Sequence, residues 1–253
     1  MPQLDNLGQF NMNFSRALLW GLCLPFTSIA FADFSATAGT SYAVTETTNP
    51  AVSESGTGLW ALGQYDTDAF SFALDASSAV VTGASSLTRD RDQFAKMVNL
   101  QALYNIGDAK LGVFGGRGLF NNTDSFEQFG VISQFDAGVI DMGFKIGKIV
   151  STQNDSDIGT FGLSSGVELG ASSRVTMDLF YNEFIDSQNK TLGAKAVVEF
   201  DIAHSLTASA QYGYEQSSND SDLLSENSEF NLGLSYQFGK GNDTTLDAIG
   251  LPF

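Results

Sequence analysis

The chain reads as an all-β protein: a closed, antiparallel, up-and-down transmembrane β-barrel of about 12 strands, with about 10 to 14 compatible with the pattern. Three observations predict it. Large apolar residues alternate with small or polar ones at period two along most of the chain. Polar connectors punctuate those runs, short and long in turn. Beyond the first 32 residues there is no continuous apolar run of helix-spanning length. In hydrocarbon only helices and closed barrels satisfy their backbone groups, so a chain that spans without such a helix spans as a barrel.

The runs are placed at 34–45, 57–65, 68–75, 95–106, 110–119, 126–135, 138–149, 158–169, 174–184, 191–200, 205–214 and 229–238. Each has roughly the 9–11 residues that a tilted strand needs to cross a bilayer. The first three and the sixth are the weakest, and "DAFSFALDASSAVVTGAS" holds either one strand or a strand running into a loop. The later runs are clearer. "VIDMGFKIGK" sets Ile140, Met142, Phe144 and Ile146 against Asp141, Gly143, Lys145 and Gly147. "GTFGLSSGVELG" sets Phe161, Leu163, Val167 and Leu169 against Thr160, Gly162, Ser164, Gly166 and Glu168. In "RVTMDLFY", Val175, Met177, Leu179 and Tyr181 oppose Thr176 and Asp178. "LGAKAVVEF" opposes Leu192, Ala194, Ala196, Val198 and Phe200 to Lys195 and Glu199. "SLTASAQYGYE" and "EFNLGLSYQF" repeat the device, with Gln211 on the polar face of one and Asn231 and Gln237 on that of the other.

A soluble sandwich strand also alternates, but its polar face meets bulk water and fills with Lys, Glu and Thr. Here the polar face is crowded with Gly and Ser, which suits a cramped, wet interior whose outer wall meets lipid. Short connectors fall near 66–68, 107–108, 136–138, 171–173 and 201–204. Longer ones are expected at 46–56, 82–93, 121–125, 151–157, 185–189 and 215–227.

Composition narrows the class. The chain has 253 residues, 12 Lys and Arg against 29 Asp and Glu, and a net charge of −17. No basic stripe exists to neutralise phosphates, so nucleic acid is excluded as a partner. Charged residues make up 16% against a usual share of about 25%.

The N-terminal stretch "MNFSRALLWGLCLPFTSIAFADFSA" has one base, Arg16, an apolar core from Ala17 to Ile29, and a small-x-small site at Ala30 and Ala32 before Asp33. It reads as a secretory signal peptide over residues 1–32, with translation expected to start at Met12. The one cysteine, Cys23, lies inside it, which leaves a mature chain without disulfides or thiol metal ligands.

The segment Asn231-Leu232-Gly233-Leu234-Ser235-Tyr236-Gln237-Phe238 resembles the C-terminal β-signal by which outer-membrane barrels are recognised by the barrel assembly machinery. Its features are Asn231, Gly233, Tyr236 and Phe238. Together with the signal peptide and the alternation, it makes the chain similar to small single-chain outer-membrane β-barrels of the porin-like class in Gram-negative cells, with no specific family within it. The resemblance implies residence in the cell outer membrane, with outer-membrane lipid and lipopolysaccharide as surroundings. Residues 239–253 extend past the last aromatic and are read as a periplasmic tail.

Candidate chemistry is sparse. The single histidine, His204, falls in a short turn on the side away from the outer rim, so a His-dependent dyad at that rim is not expected. No His or Cys set is spaced for a metal, and no cofactor is implied. "NDSD" at 154–157 and 219–222 offers oxygen ligands, but its spacing matches no complete calcium loop and is ordinary turn composition. The mixed-charge stretch Arg89-Asp90-Arg91-Asp92 is read as a solvated loop, with binding of lipopolysaccharide phosphates or folding into the mouth as the alternatives.

The expected lumen-lining set is Asn99, Gln101, Asp141, Lys145, Glu168, Asp178, Lys195, Glu199, Gln211, Asn231 and Gln237. Eight strands leave room only for side chains and sixteen leave an aqueous channel. About twelve fall between, and the inward glycines favour space. The expected function is non-enzymatic: a porin-like channel for passive diffusion of small hydrophilic solutes. The alternative is a closed structural or interaction barrel whose external loops bind ligands.

Overall fold

The computed structural model describes residues 34–48, 51–83, 93–121, 124–151, 157–185, 189–219 and 222–239. The signal peptide with Ala30, Ala32 and Asp33, the Arg89–Asp92 stretch and residues 240–253 lie outside them. The described residues form twelve strands: β1 Phe34–Thr48, β2 Ala51–Asp66, β3 Phe70–Gly83, β4 Gln93–Ile106, β5 Ala109–Phe120, β6 Asp124–Asp136, β7 Ile140–Ser151, β8 Asp157–Glu168, β9 Ser173–Phe184, β10 Lys190–Ala203, β11 Leu206–Ser218 and β12 Leu223–Gly239. Each pairs antiparallel with its sequence neighbour, and β12 pairs with β1 from Ser35↔Gly239 to Thr47↔Asn227. The ring is therefore closed, and no strand edge is left to face lipid.

Alternation gives the wall its two sides. Outward residues are large, apolar and exposed, as with Leu100 and Val113, each 56% exposed, and Leu163, Leu179 and Phe230. In a chain that spans lipid this exposure is burial in hydrocarbon, so the usual inside-out rule for apolar residues is inverted.

The end of the barrel that carries Phe34 and Gly239 is called here the terminus end, and the opposite one the loop end. Turns at the terminus end are tight and chemically specified. Thr67 Oγ1 accepts the Phe70 N–H at 2.9 Å and donates to the Phe70 carbonyl at 3.0 Å, while Asp136 Oδ1 accepts the Gly138 N–H at 2.7 Å. Gly107 and Gly138 sit at φ +62° and +87°, a left-handed backbone in which a Cβ would be strained.

The strands overrun the predicted bounds at the loop end. The stretch 46–56, expected as a long connector, is mostly β1 and β2, which leaves only 49–50 between them. Most of 215–227 likewise belongs to β11 and β12, which leaves 219–222. The strict alternation of short and long connectors therefore fails. Apart from Leu223 and Leu224, most described residues on both faces of these extensions are polar, so period-two alternation stops while ladder pairing continues. Gly239, expected to begin the tail, is instead the last residue of β12 and pairs with Ser35.

A charge placed on the lipid side at mid-height tests the assignment of faces. Leu163→Arg is expected to cost ~2–4 kcal/mol of folding free energy in lipid vesicles. Ser164→Thr, on the inward face of the same strand, should change it by less than ~1 kcal/mol. Urea titration followed by heat-dependent gel mobility reads both.

Candidate functional site: a half-filled lumen

Register and burial put all of Asn99, Gln101, Asp141, Lys145, Glu168, Asp178, Lys195, Glu199, Gln211, Asn231 and Gln237 on the face opposite the exposed apolar set. Their surroundings differ sharply around the ring.

The wall made by β3 to β6 is packed. Ala73, Met97, Leu103, Phe114 and Ile132 form a buried apolar cluster on the inward face, with Leu62 and Phe126 against it. A chain of polar groups runs through the same wall. Gln128 Nε2 donates to Asn99 Oδ1 at 2.5 Å, and Asn99 Nδ2 donates to Asp75 Oδ1 at 2.9 Å. Asn99 is 1% exposed and Gln101 0%. These two, expected to line an open conduit, are instead enclosed in the packing. Lys145 from β7 reaches over the same cluster, its Nζ 5.8 Å from the centre of the Phe114 ring, within cation–π reach.

The inward glycines on this side do not leave space, contrary to the expectation from composition. They seat rings. Phe114 lies across Gly130 and Gly147, Phe126 across Gly118 and Trp60 across Gly39, and a Cβ at any of these glycines would run into the ring. Gly116 makes the same room for the Asn99 amide. In each Phe114–Gly130, Phe126–Gly118 and Trp60–Gly39 pair the two residues are direct register partners. The ring thus lies along the wall instead of standing into the lumen. Phe180 over Gly193 repeats the arrangement on β9 and β10.

The arc from β8 through β12 to β1 is built differently. Its inward positions are mostly Gly, Ser, Thr, Gln, Asn and charged groups, and most are part-exposed. Lys195 Nζ lies 3.3 Å from Asp178 Oδ2, their side chains 33% and 24% exposed, across the register pair that joins β10 to β9. Gln211 Nε2 donates to Glu229 Oε1 at 3.0 Å, and Asn227 Nδ2 donates to Glu215 Oε1. Near the terminus end Arg174 is paired with Asp141 and stands opposite both Glu168 and Glu199 in register. On this arc carboxylates outnumber cations: Glu168, Asp178, Glu199, Asp201, Glu215 and Glu229 against Arg174 and Lys195.

Sequence reading missed Glu215, Glu229, Arg174, Asp75 and the inward Trp60. Glu229 and Arg174 fall in step with Asn231 and Asp178, so extending each alternation by one or two pairs would have found them. Trp60 and the Met97–Phe114 cluster carried no such signal, because a large apolar residue at period two reads as facing lipid.

His204 is exposed in the turn between β10 and β11 at the terminus end. Among the described residues no group of three or more His, Cys, Asp or Glu could hold a metal ion. Asn219 is engaged in turn geometry: its Oδ1 accepts the Asp222 N–H at 2.8 Å and its N–H donates to the Asp222 carbonyl at 3.0 Å. Of the β-signal residues, Asn231 and Gly233 face inward, while Tyr236 and Phe238 are exposed outward with ring centres 4.7 Å apart.

No protein-family model matches the chain, and no curated protein matches it by sequence. Solved structures do share its architecture. An outer-membrane channel from Pseudomonas putida F1 aligns with a TM-score of 0.61 at 11% identity, over 85% of this chain and 98% of that one. The translocator domain of the autotransporter NalP from Neisseria meningitidis aligns at 0.56 and 13% identity, over 90% and 95%. KdgM porin aligns at 0.54 and 7% identity, over 79% and 99%. The fold is that of the outer-membrane β-barrel class. At such identities the likeness carries the architecture alone.

Truncating the ring that crosses Gly130 and Gly147 tests the packed wall. Phe114→Ala is expected to lower folding stability by ~3–5 kcal/mol, measured by urea titration. An unchanged midpoint would mean that the inward cluster contributes no packing.

Proposed function

We propose that the chain is an outer-membrane channel for passive diffusion of small hydrophilic solutes, with the route confined to the arc from β8 to β1. What carries the reading is the contrast between the two walls. One side of the lumen is filled by Met97, Leu103, Phe114 and Ile132. The other presents mostly part-exposed polar groups, with the Phe180 ring laid over Gly193 and the Trp60 ring over Gly39. A route of that kind is narrower than a twelve-stranded ring would otherwise give, so it takes ions and small solutes. The class of two of the similar structures, a channel and a porin, supports the same reading.

Selectivity follows from the fixed charges. Glu199, Glu215 and Glu229 lie along the arc, with Lys195 engaged by Asp178. Rings and rows of carboxylates favour cations. No residue performs covalent chemistry on the solute. Asn231, Gly233, Tyr236 and Phe238 serve as the recognition strand for barrel assembly, and residues 1–32 as the export signal.

Conductance of the purified protein in planar bilayers tests the reading. Discrete unit steps are expected, with a reversal potential under a salt gradient that shows cation preference. The triple change Glu199→Gln, Glu215→Gln and Glu229→Gln should shift that potential toward zero and leave step frequency intact. Absence of steps above background would remove the channel reading and leave a closed interaction barrel.

A further inference from the structure

The inner surface toward the loop end has two unlike sides. Ile149 on β7 is opposite Ile158 on β8, and Ile158 is opposite Phe184 on β9. Direct partners share a face, and Ile149 is also the partner of the buried, inward Gln128. The three therefore form one apolar row on the inside of the ring. None of them belongs to the cluster around Phe114. Ile149 is buried, while Ile158 and Phe184 are half-buried and present apolar surface to the lumen.

The opposite side of the same end is acidic. In the ring of twelve, β1 lies six places from β7. Glu229 on β12 is opposite Thr45 on β1, and Thr45 is opposite Glu54 on β2. Glu215 on β11 stands one inward pair nearer the loop end, opposite Asn227. Asn227 and Gln211 each donate an amide hydrogen bond, to Glu215 and Glu229 respectively, which orients the carboxylates without neutralising them. Glu54 has no ion-pair partner among the described residues. The base in the same inward row, Lys195, is engaged by Asp178 at 3.3 Å, with Gly213 between it and Glu229. A Cβ at Gly213 would meet nothing closer than 3.9 Å, so the ground beside Glu229 is open.

An inorganic cation can use only the acids, and a neutral apolar solute only the row. A small organic cation with an ammonium head and an apolar body uses both. The carboxylates draw its head, and its body takes apolar surface of Ile158 and Phe184 out of water. We propose that the loop-end mouth is a binding vestibule for small organic ammonium cations. Ile149, Ile158 and Phe184 form its apolar wall, and Glu54, Glu215 and Glu229 its acidic one. The inference names a solute class for the proposed channel, and it rests on that reading for passage beyond the mouth.

Ligand-observed saturation-transfer NMR on the purified full chain in non-ionic detergent tests binding, with empty micelles as background. The probes are benzylammonium, methylammonium and benzyl alcohol. Benzylammonium is expected to bind roughly tenfold tighter than methylammonium, the worth of about 60 Å² of phenyl surface removed from water. Benzyl alcohol keeps the ring and lacks the charge, so it should bind roughly fivefold more weakly than benzylammonium. The double variant Ile158→Thr, Phe184→Gln should bring the ratio of the two ammonium affinities close to one. The double variant Glu54→Gln, Glu229→Gln should weaken both ammonium probes alike, by roughly fivefold. Heat-dependent gel mobility checks that both variants fold, and the comparison of probes on the unchanged chain needs neither. Equal affinity for the two ammonium probes, benzyl alcohol binding as tightly as benzylammonium, or a preference that survives the change of the apolar row would overturn the assignment. Selective binding without unit conductance steps would keep the vestibule and remove the channel, and steps without selective binding would do the reverse.

Discussion

A backbone inside hydrocarbon has no water to satisfy it, and each unpaired N–H or C=O there costs several kcal/mol. For a chain made of strands there is one solution: the first and last strands must find each other. The β1–β12 ladder does this over nearly the full height of the wall, from Ser35↔Gly239 to Thr47↔Asn227. Every other feature depends on it. Closure fixes which face is outside. The outside then has to be apolar for the height of the bilayer, and what remains inside is free to be core or conduit.

That freedom explains the division of the lumen. A ring of twelve strands encloses more volume than its own small side chains would fill. On the β3–β6 side the volume is taken up as it would be in a soluble protein, by Met97, Leu103, Phe114 and Ile132 around an ordered Gln128–Asn99–Asp75 chain. On the β8–β1 side it is not. Glycines serve both arrangements. Across from Phe114, Phe126 and Trp60 they admit a ring against the backbone. At Gly162 and Gly213 on the other arc a missing side chain leaves room, with neighbouring atoms only at ordinary van der Waals distance. A glycine count therefore says little about aperture until its cross-strand partner is known.

Much of the architecture was legible because lipid imposes a strict period. In β7 through β12 the apolar residues of those alternations face outward and the polar residues between them inward, while Ile149, Phe180 and Val197 add apolar groups to the inner face. Legibility failed where one rule stood for two environments. Along "FAKMVNLQALY" in β4, apolar residues occur at both parities: Val98 and Leu100 face lipid, Met97 and Leu103 face an interior core. Hydrophobicity alone cannot separate them. The loop-end extensions failed for the converse reason. Residues such as Glu215 to Ser218 have no apolar face and resemble a loop, while the ladder that makes them strand is a tertiary fact.

The seam has a kinetic consequence. Neighbouring strands form hairpins whose partners are close in sequence, but Ser35 must wait for Gly239, near the opposite end of the described chain. Contacts between such distant residues are slow to form because the entropy of bringing them together is lost before any pairing rewards it. Until the final strand arrives, β1 presents an unsatisfied edge that could pair with the wrong molecule. A chain arranged this way gains most from an escort that holds its two extremities together, and the last strand is the natural handle for one.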